Sequence, residues 1–414
     1  MPAAPRSSPA PSPSQVDYIA SSLKRRIAQL EVENEKIRRE KQRKTPARET
    51  TLARGVLKVV SLHVPLKALV DESDKRIEMD DDELENLPIE QRREYYESFK
   101  CFRSLFGGAF LDRVLEHEDF LDKLKVWGAR ADEARGDDIK RLKAEVANWI
   151  NTLDHLDVSG PNDPFSFIQT HTRVGRGFTN PVTGRLLCPI EYDWEDLDVR
   201  QKVQSFDPEF PTHEQYLVRA LYEGYRGDPN DYTKGFLKSV LHVRAYKQIF
   251  TSLSSAVRYV PAGEGDEGSG EPSAKRRRTG KEPTKKNVAS LLGMTEVTPR
   301  SIAYAAVLLH FSLTDTPTWN VSCDGFNYAI FYDFIVDYFE DRRLTSEEDA
   351  QSLLGWWNRQ VFGQKFATST PGATVDFKNR LAEQKVVKEN KAKVAACVRI
   401  AARRAEARNR PSRS

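Results

Sequence analysis

An all-α fold, an irregular multi-helix bundle with one long ordered loop, an N-terminal coiled coil and a basic C-terminal helical arm, is predicted by three observations. Residues 137–153 place Ile139, Leu142, Val146, Trp149, Ile150 and Leu153 three or four apart, which makes one apolar helix face. Helix-start signals stand at Thr298-Pro299 and at Thr345-Ser346-Glu347-Glu348. Residues 298–363 are also the densest aromatic stretch, in which Phe326, Ile330, Phe334 and Tyr338 separate from Asn327, Asp333, Asp337 and Asp341 as two faces of one helix.

Composition fits a globular body with solvated tails: 39% of the 414 residues are hydrophobic and 30% charged. No apolar run approaches the roughly 18 residues of a membrane span, and the opening MPAAPRSSPAPSPSQ lacks the apolar centre of a secretory signal, so neither a membrane partner nor export is expected. Cys101, Cys188, Cys323 and Cys397 are scattered without a Cys-x-x-Cys pair, as suits packing residues in a reducing compartment. The net charge of +3 hides a segregation. Residues 24–48 carry +6, 275–286 carry +6 and 378–414 carry +9, leaving −18 on the remainder. An acidic body with three basic segments is expected, and only those segments meet a polyanion favourably.

Residues 1–15, rich in Pro, Ser and Ala, predict disorder. From residue 16 to 45 heptads take over: Val16, Leu23, Leu30 and Ile37 fall at one seam position, Ile27 and Asn34 at the other. A short coiled coil that self-associates is expected, with Asn34 fixing register; the ordinary alternative is a lone amphipathic helix, because three heptads are marginal. A basic zipper is excluded, since the residues before the seam lack a basic helix.

Residues 51–70 predict a helix broken by its Gly and Pro, and Asp71–Glu85 a solvated acidic loop, because Lys75-Arg76 stand where a calcium loop needs its last oxygen and glycine. Tyr95, Phe99, Phe102 and Phe106, then Phe110, Val114, Leu121 and Leu124, predict a helical hairpin around Gly107-Gly108, with a separate helix beginning at Asp137 after Gly128. Residues 157–195 form the long irregular region. Its stretch His171–Phe178 hints at a phosphate cradle, but lacks the Gly-x-x-x-x-Gly-Lys order and a preceding strand, so a structural loop is expected. Helices resume at Leu197–Val203, Tyr216–Tyr225 and Phe236–Phe250, the last apolar on most sides and therefore central. Residues 257–286 read as a disordered insertion whose Lys275, Arg276, Arg277, Arg278, Lys285 and Lys286 suit a nuclear-import signal; a solubilising charge run is the alternative. Phe377–Arg410 is the basic helical arm, within a basic tail spanning 366–414.

VTPRSIAYAAVLLHFSL, FYDFIVDYFED and WWNRQVFG resemble the closing segment of an uncharacterised domain-of-unknown-function family expanded in mushroom-forming fungi, and so do ARGDDIKRLKAEVANWI, GRGFTNPVTGRLLCPIEYDW and KGFLKSVLHVRAYKQIFTSLSSA earlier in the chain. The resemblance covers about residues 50–365. It implies that 50–256 and 287–365 form a single helical body interrupted by the insertion, and it implies no established activity or catalytic residue.

No cofactor motif is found. Asp333, Asp337 and Asp341, about one turn apart, could line a divalent-metal site, although such carboxylates opposite an apolar stripe are usually a wet face. His242 and His310 read as core histidines, Trp356-Trp357 as core aromatics, and Cys323 beside Asp324 has no evident His partner. The expected function is that of a non-enzymatic nuclear interaction protein whose basic arms contact nucleic acid or acidic proteins. The alternative is a metal-dependent nucleic-acid enzyme linked to mobile elements.

Overall fold

The computed structural model describes residues 26, 30, 47–76, 97–152, 167–252, 256, 287–341 and 344–363. The chain falls into two compact units, Met1–Thr51 and Leu52–Ser414. In the first, Leu30 is helical and 43% exposed, whereas Val16, Leu23, Ile27, Asn34 and Ile37 lie outside the described residues. The import cluster 275–286 and the basic arm also lie outside them.

The described residues are mostly helical, as the all-α expectation required. The order is α1 (Ala47–Val59), α2 (Leu66–Arg76), α3 (Ser98–Phe106), α4 (Gly108–Leu115), α5 (Phe120–Thr152), α6 (Pro181–Leu187), α7 (Leu197–Gln204), α8 (Val240–Phe250), α9 (Val288–Leu292), α10 (Pro299–Leu313), α11 (Tyr328–Glu340) and α12 (Glu347–Phe362). One antiparallel hairpin, β1 (Ser322–Cys323) with β2 (Phe326–Asn327), precedes α11.

Helix α10 is the centre. Thr298 caps it reciprocally, its Oγ1 accepting from the Ser301 N–H while Ser301 Oγ accepts from the Thr298 N–H, and Pro299 opens the first turn. Every residue from Arg300 to Leu313 is buried, and α11, α8 and α5 cover its sides. Burying each large apolar side chain contributes about 1.5–3 kcal/mol, so this helix needs no polar face. Arg300 is the exception that ties the surroundings together. Its Nη1 donates to the Val60 carbonyl (2.7 Å) and Ser98 Oγ (2.8 Å), and Nη2 lies 3.5 Å from Glu340. Burial works against its charge, yet Glu340 holds the guanidinium above its usual range.

A second core gathers α1 to α4 around Trp127, which stacks on Phe106 at 4.2 Å. The expected break after Gly128 does not occur: α5 is one helix of 33 residues, on the order of 50 Å long. Its first half, with Leu124, Trp127 and Ala131, packs in the second core, and its later half, with Leu142, Val146 and Trp149, packs in the main one. Packing at both ends outweighs the roughly 1 kcal/mol that each of Gly128 and Gly136 costs a helix.

Other expectations shift. Asp71–Arg76 continues α2 rather than opening a loop. Within 157–195, residues 177–179 form a 3₁₀ turn and Pro181–Leu187 form α6, capped by the Asn180 side chain. Tyr216–Tyr225 is not an α-helix but two 3₁₀ turns, Arg219–Leu221 and Glu223–Tyr225, separated by the extended Tyr222, with Gly224 at φ +61° inside the second. Helix α11 starts at Tyr328, after the Asn327 cap, and buries Tyr328, Phe331, Tyr332, Ile335, Val336 and Tyr338, leaving Ile330 of the predicted stripe exposed. The cap of α12 is Ser346 rather than Thr345, accepting from the Asp349 N–H.

Candidate functional site

A cavity of about 420 Å³ lies where α10 ends. Beyond Leu313 the chain turns through Thr314–Pro317 and folds back in the β1–β2 hairpin, whose Asp324-Gly325 turn has both residues at positive φ (50° and 75°), as a two-residue hairpin of this twist demands. The opposite wall is the 3₁₀ turn Gly177–Thr179, with Leu187 of α6 and Phe206 just after α7.

Two arginines fix that wall. Arg176 Nη1 donates to the Ser312 carbonyl in the last turn of α10 (2.5 Å), and Nη2 donates to the carbonyls of Lys143 and Gln169 (2.7 Å each). Arg173 Nη2 reaches the Pro317 carbonyl (2.7 Å), with its guanidinium 4.0 Å over the Phe311 ring. Cations at a helix C-terminus meet unsatisfied carbonyls and the negative end of the dipole. The basic, Gly-containing stretch 171–178 is therefore a structural loop, and Gly177 (φ +72°) lets it close, since a Cβ there would lie 3.2 Å from Asp315 Oδ1.

His310, from α10, lines the cavity although it is only 5% exposed. Its Nδ1 lies 3.1 Å from Tyr328 Oη and its ring stacks on Phe326 at 4.2 Å. Burial pushes its pKa down to about 3, so the imidazole is neutral. Burial raises the Tyr328 hydroxyl and the Cys323 thiol, which therefore keep their protons. At the mouth Asp324 accepts from Thr316 Oγ1 (2.5 Å), and Asp315 stands against Gly177.

The residues singled out from sequence divide sharply. Asp333, Asp337 and Asp341 do not converge, because the first and last are separated by about 12 Å of helix rise. Nor do they form a wet face: Asp333 Oδ1 lies 3.0 Å from His63 Nε2, and Asp341 is buried as the C-cap of α11. Among the described residues no group of three or more His, Cys, Asp or Glu side chains could hold a metal ion. His242 is fully buried, 3.0 Å from the Ile302 carbonyl and edge-on to Trp357, with burial lowering its pKa to about 4. Trp356 and Trp357 are core. Asp315 and Phe206 escaped sequence reasoning, and Phe178 entered it only as the end of the 171–178 stretch; the legible signal at the other wall was the Asp-Gly turn beside Cys323.

A second buried cluster joins α1, α5 and α10. Lys58 pairs with Asp138, whose Oδ2 also accepts from Tyr304 Oη (3.0 Å), and the Lys58 ammonium lies 5.0 Å from the Tyr304 ring centre. Burial pulls Lys58 down to about 7.

These features define a helical domain with an aromatic-walled cavity at the end of its central helix. The chain belongs to the family of unknown function DUF6698, which matches residues 129–362. Every residue lining the cavity falls inside that span. No curated protein and no solved structure matches the chain. Among the described residues no helix is long and apolar enough to cross a membrane.

Proposed function

We propose that the protein is a non-enzymatic interaction protein of the nucleus, whose acidic helical body self-associates through Val16–Ile37 and whose basic segments contact nucleic acid or acidic proteins. A source among mushroom-forming fungi, in keeping with the sequence resemblance, belongs to the same proposal. The observation that carries the non-enzymatic reading is the state of the polar groups around the cavity. The His310 imidazole is too weak a base to take a proton near neutrality, and the Cys323 thiol keeps the proton that a nucleophile must lose. Groups in that state favour binding over attack. The partner class rests on the charge layout, in which +21 sits on 24–48, 275–286 and 378–414.

The test is a salt titration of binding to duplex DNA by the full chain and by a chain lacking 275–286 and 378–414. Full-length affinity should fall steeply with salt, with a slope set by the phosphates neutralised, and the deletion should flatten that slope. Equal slopes would remove the basic arms from the proposal. Replacing Lys275–Arg278, Lys285 and Lys286 by Ala in a fluorescent fusion should abolish nuclear accumulation.

A further inference from the structure

We propose that the cavity at the end of α10 binds an organic cation, an ammonium group carried on an apolar stem. The inference rests on reading the cavity as a binding site rather than a reaction centre.

Charge is the first argument. Asp315 and Asp324 stand at the mouth, the lining contains no Lys or Arg, and neither carboxylate has an ion-pair partner among the described residues. Arg173, close by, gives Nη2 to the Pro317 carbonyl and lays its guanidinium over the Phe311 face. A positive ligand is therefore favoured, and an anion is opposed. A bare metal ion is a poor fit, because the inner walls are Phe178, Leu187, Phe326 and the Tyr328 ring, which supply no hard oxygen ligands beyond the mouth.

Those aromatic walls are the second argument. Faces of Phe and Tyr attract a weakly hydrated ammonium, an interaction that strengthens when the site is dry, while the apolar stem fills space that water uses badly. A volume of about 420 Å³ lies in the range of small-molecule sites.

The third argument is His310. It lines the cavity while 5% exposed, its Nδ1 is engaged by Tyr328, and its Nε2 has no partner among the described residues. Unlike His242 Nδ1, it is not a buried atom left without a partner, so it keeps access to the cavity. When Nδ1–H donates to Tyr328 Oη, Nε2 presents a lone pair to the cavity, whose partial negative charge favours a nearby ammonium whether or not it carries an N–H. An adjacent positive charge also keeps this imidazole neutral.

Phe206 supplies a lip. It is 69% exposed at φ +55°, a region that a bulky side chain rarely occupies, and it meets Phe178 edge-on at 6.0 Å. An aromatic ring held out at such a backbone cost completes the cage on the solvent side. The ammonium could come from a free small molecule or from a methylated lysine of a peptide; the recognition chemistry is shared.

The experiment is calorimetry on the full chain with benzyltrimethylammonium chloride, with its uncharged isostere neopentylbenzene, and with a trimethyl-lysine peptide beside its unmethylated form. The expected result is saturable binding of the cation, at least tenfold weaker for the isostere. Asp315→Asn, Asp324→Asn and Phe206→Asn should each weaken binding at least threefold while retaining the wild-type circular dichroism spectrum; Asn tolerates positive φ at the last two positions. Preference for the methylated peptide or for the free cation identifies the source, and either supports the site. Absence of saturable binding by both cations, equal affinity for the isostere, or indifference to both Asp substitutions would overturn it. Proton NMR of the recovered probe separates the two readings. A probe bound and returned unchanged supports both, and a probe bound and transformed keeps the cation site but ends the non-enzymatic reading. Failure to bind leaves the salt-dependent DNA result untouched.

Discussion

Arg176 donates from Nη1 to the main-chain oxygen of Ser312, 136 residues further along the chain. The same guanidinium holds the carbonyls of Lys143 and Gln169, so three segments share one cation that has no carboxylate beside it among the described residues. Burial, reinforced by Arg173, lowers its pKa to about 10, still high enough to keep the charge. Arg176→Lys retains the charge but cannot present the planar fork, leaving carbonyls unpaired in a dry place. The expected loss is about 2–4 kcal/mol in urea denaturation. Because Gly177 and Phe178 follow directly, the cavity wall should loosen as well, read as faster amide exchange at 177–179.

Acid should destabilise the body through its buried histidines. His242 and His310 are depressed to about 4 and about 3 from 6.5, so the unfolded chain binds protons that the folded one refuses. Their contribution is fully present above about pH 6.5 and is lost as pH falls toward the folded values, on the order of 3–5 kcal/mol each. Stability measured from pH 7 to 4 should fall along this slope. His242→Gln should remove about one proton from it.

The Lys58–Asp138 pair is expected to be a liability when halved and nearly neutral when removed whole. Lys58→Met strands a buried carboxylate whose other contact is Tyr304, at a cost of about 3–5 kcal/mol. Adding Asp138→Leu should restore most of that loss. A double-mutant cycle by thermal or chemical denaturation reads the coupling directly.

Gly184 allows α6 to pass beneath Trp194. A Cβ there would stand 2.6 Å from the indole and 3.1 Å from the Phe178 carbonyl, so Gly184→Ala must move one of them. The expected cost is about 1–3 kcal/mol, the usual range for overpacking. Tryptophan fluorescence should shift, since Trp194 is fully buried in the native protein.

The sequence carried the fold where local signals and tertiary packing agree. Thr298, Pro299 and the apolar run behind them place α10 correctly, and Pro65 marks the α1–α2 break. Reading failed where distant packing overrides a local preference. Gly128 looks like a helix end until Trp127 and Trp149 anchor α5 on either side. Leu217, Ala220 and Leu221 have helical spacing, but Tyr222 is extended and bridges to Phe236, which breaks the run. The face of α11 was misread by about one residue's rotation because aromatic residues lie on both sides of it. The cavity was least legible of all. Its walls come from residues 177–179, 187, 206, 212, 310 and 314–328, and no window of sequence brings these together.

Helix α10 stands at residues 299–313, yet it is the piece that α5, α8 and α11 enclose. A ribosome making this chain delivers the shell before its centre. The apolar faces of α5 and α8, with Leu142, Val146, Leu241 and Tyr246, must wait uncovered while more than fifty further residues are translated. At about 5–20 residues per second, that is an interval of several seconds during which the nascent chain is prone to wrong associations. Folding of the main core is therefore expected to be late and abrupt, completed only once α10 and α11 have emerged, with the Trp127 core free to form well before it.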